Sequence, residues 1–315
     1  MTPRENALIA YHHGIPEWVP SRSLDMNIAF PAPFIERYQG RDTGTDGFGV
    51  EWKYEESTKA PMTTSNHLLN DIAEWKNKVI FPDLDQIDWE EQAKKDTAHF
   101  QKDRLNMVMS INGPFERMHA CLGMIDTLCA LIEDEEECLE FAKAVADHKI
   151  RLVEKVGRYY NADVFDMHDD YGMNDKMFMS LDTWRTIFKP QLKRVVDAVH
   201  ENGMLYEHHS CGYIEPIVPD LIEIGVDALD VWQVCNTNMR SLKDQYQHQL
   251  TFCGGFDNQG VFDKLGVTFE ECYEETKRAV ELMAPGGSYI AFTVTVSNDF
   301  QPAFQKAMMD MRNKK

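Results

Sequence analysis

The segment Leu205-Tyr-Glu-His-His-Ser-Cys211 places a carboxylate, two imidazoles and a thiol in immediate succession. On an extended strand alternate residues share a side, so Glu207, His209 and Cys211 project together while His208 and Ser210 face the opposite way. Carboxylate, imidazole and thiolate are all good zinc ligands. Cys253, near the end of a later strand, could add a second thiolate. Against this stands a plainer reading, in which both cysteines are small buried hydrophobes and His209 is a hydrogen-bonded core residue; a bare His-x-Cys does not exclude it. A second polar group is His168-Asp169-Asp170. Neighbouring strand residues point oppositely, so no more than one of these carboxylates faces the site unless the strand ends there. It would serve as a general acid or a substrate hydrogen-bond acceptor. Equally, either aspartate could cap the loop that follows.

These residues fall at the ends of regular elements. Apolar runs predict strands over 19–26, 106–111, 163–168, 204–210, 228–234, 250–254 and 288–294, with an eighth strand concealed in the N-terminal third. Helices are expected over 3–13, 180–202, 214–224, 239–246, 268–284 and 300–312. In the second of these, Trp184, Ile187, Phe188, Leu192, Val195, Val196 and Val199 make one buried stripe, and Pro190 predicts a kink. Strand–helix alternation with short connections requires a parallel sheet. No Gly-x-Gly-x-x-Gly turn follows any strand, which favours a closed barrel over an open doubly wound sheet. The expected fold is therefore a (β/α)8 TIM-like barrel spanning residues 1–315 as one domain, with an irregular N-terminal segment within 1–104 that wraps or covers the site. Polar residues collect at the C-terminal strand ends: Ser110 and Asn112, His168 to Asp170, Glu207 to Cys211, Gln233, then Cys253, Asp257 and Gln259, then Thr295, Ser297 and Asn298. In such a barrel these ends share the catalytic face.

Composition narrows the partners. The chain has 32 basic and 52 acidic residues, a formal net charge of −20. That balance disfavours nucleic acid and anionic lipid, and a polyanionic small substrate unless a local arginine cluster overrides the field. No stretch reaches the ~20 apolar residues of a membrane span. Seven cysteines, an odd number without close pairs, argue against a disulfide framework and for a reducing cytoplasm.

Several stretches, in their order and spacing, carry a resemblance. They are Thr2-Pro-Arg-Glu-Asn6, His13-Gly-Ile-Pro-Glu-Trp-Val-Pro20, Asp46-Gly-Phe-Gly-Val-Glu-Trp52, Phe81-Pro-Asp-Leu-Asp85, Asp169-Asp-Tyr-Gly172, His209-Ser-Cys-Gly212, Gly225-Val-Asp227 and Gly254-Gly-Phe-Asp257. The chain resembles the uroporphyrinogen decarboxylase superfamily, and within it the corrinoid-dependent methyltransferases. The resemblance implies a (β/α)8 barrel, zinc in the site, and methyl transfer to or from cobalamin carried by a partner corrinoid protein. Two departures refine it. The arginine-rich motif that grips tetrapyrrole carboxylates is reduced to Arg22 in Pro20-Ser-Arg-Ser-Leu-Asp25, which speaks against decarboxylation. The late cysteine that completes the zinc site of thiol-methylating relatives is missing from Ile290-Ala-Phe-Thr-Val-Thr-Val296. Cys253 and Glu207 are left as candidates for the third ligand.

A mixed set of donors suits an oxygen-bearing substrate, so the expected reaction is demethylation of a small methylated donor, an aromatic ether. A cob(I)alamin nucleophile would displace the aryl oxide in line. His209 and Cys211 would hold the metal, and Asp169 or Asp170, beside His168, would act as acid or anchor a ring hydroxyl. Trp18, Phe30, Phe34, Trp52 and Tyr171 would supply an aromatic wall, with Gln233 and Asn112 as polar contacts. Thiol methylation by the same fold, tetrapyrrole decarboxylation and a non-catalytic binding protein are the alternatives.

Overall fold

The computed structural model describes residues 1–57, 59–293 and 300–313. The chain opens on the helix Pro3–Tyr11, whose Thr2 and Glu5 exchange side-chain and backbone hydrogen bonds as a capping box. β1 (Met26–Ala29) follows. An antiparallel sheet of β2 (Thr43–Thr45), β3 (Glu51–Glu55) and β4 (Ala60–Thr63) comes next. The remaining strands are β5 (Leu105–Ser110), β6 (Val164–His168), β7 (Leu205–His209), β8 (Ala228–Trp232), β9 (Thr251–Gly254) and β10 (Tyr289–Ile290). They join β1 in one sheet ordered β1-β5-β6-β7-β8-β9-β10, every pairing parallel. Helices occupy the connections, as parallel crossovers require.

The two ends of this sheet approach one another. Ser21 and Ala291 form a parallel bridge; the Arg22 amide donates to the Ala291 carbonyl, and the Ala291 amide donates to that of Pro20. The parallel sheet holds seven strands among the described residues. The N-terminal third contributes β1 and the separate antiparallel sheet.

Most expected elements are present, including the helices Met239–Tyr246, Phe269–Met283 and Gln301–Arg312. Two differ. The helix expected over 180–202 is two, Leu181–Ile187 and Lys189–Glu201, divided at Phe188, because Pro190 has no amide to continue the ladder. The strand expected over 19–26 lies later, at 26–29, because Arg22–Asp25 forms a helical turn. Asp25 fixes that turn by accepting from the Ser21 amide and the Trp18 indole. The expectation for Thr295, Ser297 and Asn298, and for the end of the last strand, lies outside the described residues.

Three loops set up the catalytic end. Asp169 accepts hydrogen bonds from the Phe115 and Glu116 amides, so it caps the helix Pro114–Leu122, whose own N-cap is the side-chain-free Gly113. The loops after β6 and β7 touch backbone to backbone: a Cβ on Gly212, where φ is +84°, would lie 2.3 Å from the Gly172 carbonyl. Only glycine permits this approach, and it locks Asp170 beside Cys211.

The segment 31–49 is held down by a buried ionic network. Arg117 pairs with Asp46 at 2.6 Å and Glu36 at 3.2 Å, and Lys149 pairs with Glu36 at 2.7 Å. Lys149 also donates to Ser110 Oγ and the Ile111 carbonyl at the end of β5. No helix among the described residues is long and apolar enough to cross a membrane.

Candidate metal centre and adjoining cavity

At the end of β7, one donor atom each from Asp170, His209 and Cys211 lies within 4.8 Å of the others. His209 Nε2 is 3.5 Å from Cys211 Sγ and 3.7 Å from Asp170 Oδ1. Asp170 is itself fixed by the Cys211 amide at 2.7 Å. His209 Nδ1 is bonded to Asp230 Oδ2 at 2.6 Å, which leaves Nε2 facing the other two donors. A carboxylate on the far nitrogen is the usual way a metal-binding imidazole is oriented and made more basic. Three protein donors of N, O and S type match the three protein ligands of a catalytic zinc site.

Burial disfavours a charged His209, but Asp230 outweighs it and holds the imidazole well above its usual range. Burial, reinforced by Asp170, raises the Cys211 thiol against the opposing pull of His209. The His168 ring stacks on His209 with centroids 3.8 Å apart and planes 9° from parallel. Burial and the neighbouring His209 charge push His168 well below the imidazole range, so it stands neutral, its Nε2 without a hydrogen-bond partner among the described residues and 3.8 Å from Asp166 Oδ2.

Below this triad lies a second polar layer. Arg22, fully buried, reaches Asp166 at 3.1 Å, Glu207 at 2.5 Å and Asp230 at 2.8 Å. Tyr11 donates to Glu207 from the opposite side. Burial and the crowding of carboxylates raise Asp166 to about 6 and Glu207 in the same direction. Asp230 goes the other way: burial opposes its charge, yet Arg22 and His209 keep it below the usual carboxylate range.

Glu207 therefore shares the side of His209, as alternation requires, but lies one layer deeper with its oxygens engaged by Arg22 and Tyr11. Cys253 is buried in that deeper layer, its thiol raised by burial and the Glu207 carboxylate. The third donor brought to His209 and Cys211 is Asp170, in place of either.

The residues expected to contact substrate have other partners. Tyr171 is fully buried and donates to Asp169. The Trp52 indole donates to Asp46, Gln233 Oε1 accepts the Gly212 amide, and Asn112 Nδ2 donates to the Glu36 carbonyl. Asp169, serving as the helix cap, is raised to about 7 by burial despite these hydrogen bonds.

A cavity of about 540 Å³ adjoins His168. Its walls come from the ends of β1 and β5 (Ile28, Met109, Ile111) and from the N-terminal third (Phe30, Arg37, Pro61). Residues of the irregular segment line this cavity, and of the expected aromatic wall Phe30 is among them.

Asp230, Asp166, Glu116 and Arg37 were missed from sequence. Asp166 and Asp230 each interrupt an apolar strand, in Val164-Phe-Asp-Met-His168 and Ala228-Leu-Asp-Val-Trp232. A carboxylate there must find a buried partner, and that signal was available. Glu116 is pushed up to about 8 by burial and by Asp170 and Asp169.

Comparison with known proteins agrees with this architecture. The uroporphyrinogen decarboxylase (URO-D) family model matches residues 43–314. Among solved structures, a methyltransferase from Methanosarcina mazei aligns with a TM-score of 0.74 and 16% identity, over 100% of this chain and 99% of that one. A β-N-acetylhexosaminidase aligns at 0.44 with 9% identity over 97% and 67% of the two chains. Xylanase 10B from Thermotoga maritima aligns at 0.38 with 11% identity over 72% and 92%. The last two superpose too loosely to carry an argument, and the first establishes a shared fold. No curated protein matches the chain. With the family match extending over most of its length, the chain belongs to the uroporphyrinogen decarboxylase family.

Proposed function

We propose that this chain is a methyltransferase. It moves a methyl group from a small methylated donor, an aromatic ether, to cobalamin carried by a partner corrinoid protein. One observation carries the reading: nitrogen, oxygen and sulfur donors from His209, Asp170 and Cys211 converge at the strand ends, one stacked ring away from a largely apolar cavity. The full-length likeness to a methyltransferase adds support. These three residues would hold zinc, which when bound supplies electrostatic stabilisation to a leaving aryl oxide.

The chain's own groups do the rest. Asp230 fixes the His209 tautomer. The cavity wall positions the donor. His168, neutral and stacked on His209, forms part of the wall between the three donors and the cavity. Arg22 is fully buried and its Nη2 is shared among three carboxylates, so it is not placed to grip a tetrapyrrole, which argues against decarboxylation of that substrate.

The test supplies zinc-loaded protein with a reduced corrinoid protein and a series of methoxyarenes, read as loss of the cob(I) spectrum. Turnover should quicken as the leaving phenol becomes more acidic. Methylation of a small thiol with the ethers untouched would reverse the direction of transfer, and ether turnover without any corrinoid would remove the assignment.

A further inference from the structure

The helix Met124–Glu133 carries apolar residues on two opposite faces. Thr127, Ala130 and Leu131 turn inward and are buried. On the other side Ile125, Leu128, Cys129 and Ile132 recur at intervals of three and four, which puts them on one ridge. The rest of the protein leaves that ridge uncovered: Ile125 is 78% exposed and Ile132 83%, with Cys129 exposed and Leu128 half-buried between them. A solvent-facing helix surface ordinarily carries charge, and single exposed apolar side chains need no explanation. A ridge at this spacing is the form in which one helix meets another. One border of the ridge is acidic. Asp126 and Glu133 share an edge of the helix, beside a cleft of about 350 Å³ that Asp71 and Asp134 also line. Asp71 and Asp134 accept backbone amides of their own turns. Asp126 and Glu133 have no lysine, arginine or histidine partner among the described residues. Carboxylates along an uncovered apolar ridge match cations reaching across from a partner and repel anions. A second copy of this chain fits poorly. Two such helices packed antiparallel about a two-fold axis would lay the acidic edge against itself, and each copy brings a net charge of −20.

We infer that this ridge docks a protein partner through an amphipathic helix whose own apolar ridge is bordered by lysine or arginine. The apolar side chains supply the contact, while the carboxylates at its rim govern encounter, orientation and partner choice. The excess negative charge of the whole chain draws a basic partner in, and the ridge fixes where it seats. None of these residues belongs to the metal centre or its cavity, so the docking stands apart from the chemistry at His209.

The test is calorimetry on the full chain with a peptide of roughly 15 residues, leucines at helical spacing along one face and lysines elsewhere. Two control peptides carry glutamine for each leucine, which keeps the charge, or glutamate for each lysine, which keeps the apolar face. The leucine–lysine peptide should bind at least ~10-fold more tightly than either control, and less tightly as KCl is raised. The double variant Ile125→Gln/Ile132→Gln keeps the net charge and should lose at least ~10-fold in affinity; Asp126→Asn/Glu133→Gln should do the same. Zinc content should be unchanged in both, since neither pair touches the metal centre. No binding, equal binding of the three peptides, or binding undiminished in both variants would overturn the inference. A dimer in sedimentation that cross-links through Cys129 and dissolves in Ile125→Gln/Ile132→Gln would overturn it too, giving the face to a second copy.

Discussion

Asp230 sits between His209 and Arg22, its Oδ2 2.6 Å from the imidazole Nδ1 and 2.8 Å from the guanidinium. A neutral amide there would still occupy the space but would no longer fix the tautomer or enrich the imidazole. Asp230→Asn should therefore weaken zinc binding by about 10–100-fold, the usual scale for losing such a partner. Cys211→Ala should weaken it further, while Cys253→Ala should leave it unchanged, since that thiol lies in the deeper layer beside Glu207. Competition with a chromogenic chelator measures all three. Zinc lost from Cys253→Ala and retained in Cys211→Ala would relocate the site to the Arg22 layer. The same residues show how far the site was legible. Alternation correctly put Glu207, His209 and Cys211 on one side, but it carries no depth, and two residues along a strand is a full layer. Asp170 was read as an acid or anchor; it lies in the loop after another strand, and its place beside Cys211 depends on the Gly172–Gly212 contact.

At the scale of elements, the segment 31–49 is fastened to the helices around the parallel sheet by Glu36, Arg117 and Lys149, all buried. Burial works against the Glu36 charge, but Lys149 and Arg117 prevail and depress it below its ordinary value of 4.5. A depressed carboxylate contributes stability that is present above its unfolded value and lost as pH falls through the folded one. Glu36→Gln leaves two buried cations short of a partner and should cost about 3–5 kcal/mol at neutral pH. The gap between wild type and variant should begin to narrow as pH drops below about 4.5, where Glu36 of the unfolded chain protonates, and should close as pH falls through the lower folded value. Thermal melts across pH 3–7 decide it; a constant gap would mean that the carboxylate is not the stabilising form. Elements of this kind marked the limit of sequence reading. Helices such as Lys189–Glu201 announced themselves through an apolar stripe and a proline break. The segment 31–49 has no periodicity, since long-range ion pairs shape it. The first strand was misplaced for a related reason: Arg22 turns inward to three carboxylates contributed from residues 166, 207 and 230.

For the whole molecule, the decisive quantity is the excess of acidic over basic residues. A net charge of −20 means that distant carboxylates repel across the folded surface, and compaction pays for it. The attractive pairs are of a different kind. The strongest, around Arg22 and Arg117, are buried and at contact, so salt barely reaches them. The exposed helical pairs, Lys94–Glu90 and Lys193–Asp197 among them, are worth little to begin with. Raising KCl from ~0.01 M to ~0.1 M shortens the screening length from roughly 30 Å to 10 Å, which removes the long-range repulsion and spares the contacts. The melting temperature should therefore rise, by a few degrees if the relief is ~1 kcal/mol. Chloride is the right salt, because sulfate would also strengthen apolar burial and confuse the cause. A fall in melting temperature over the same range would show that exposed ion pairs outweigh the net charge. Little change would show that the repulsion persists undiminished in the unfolded chain.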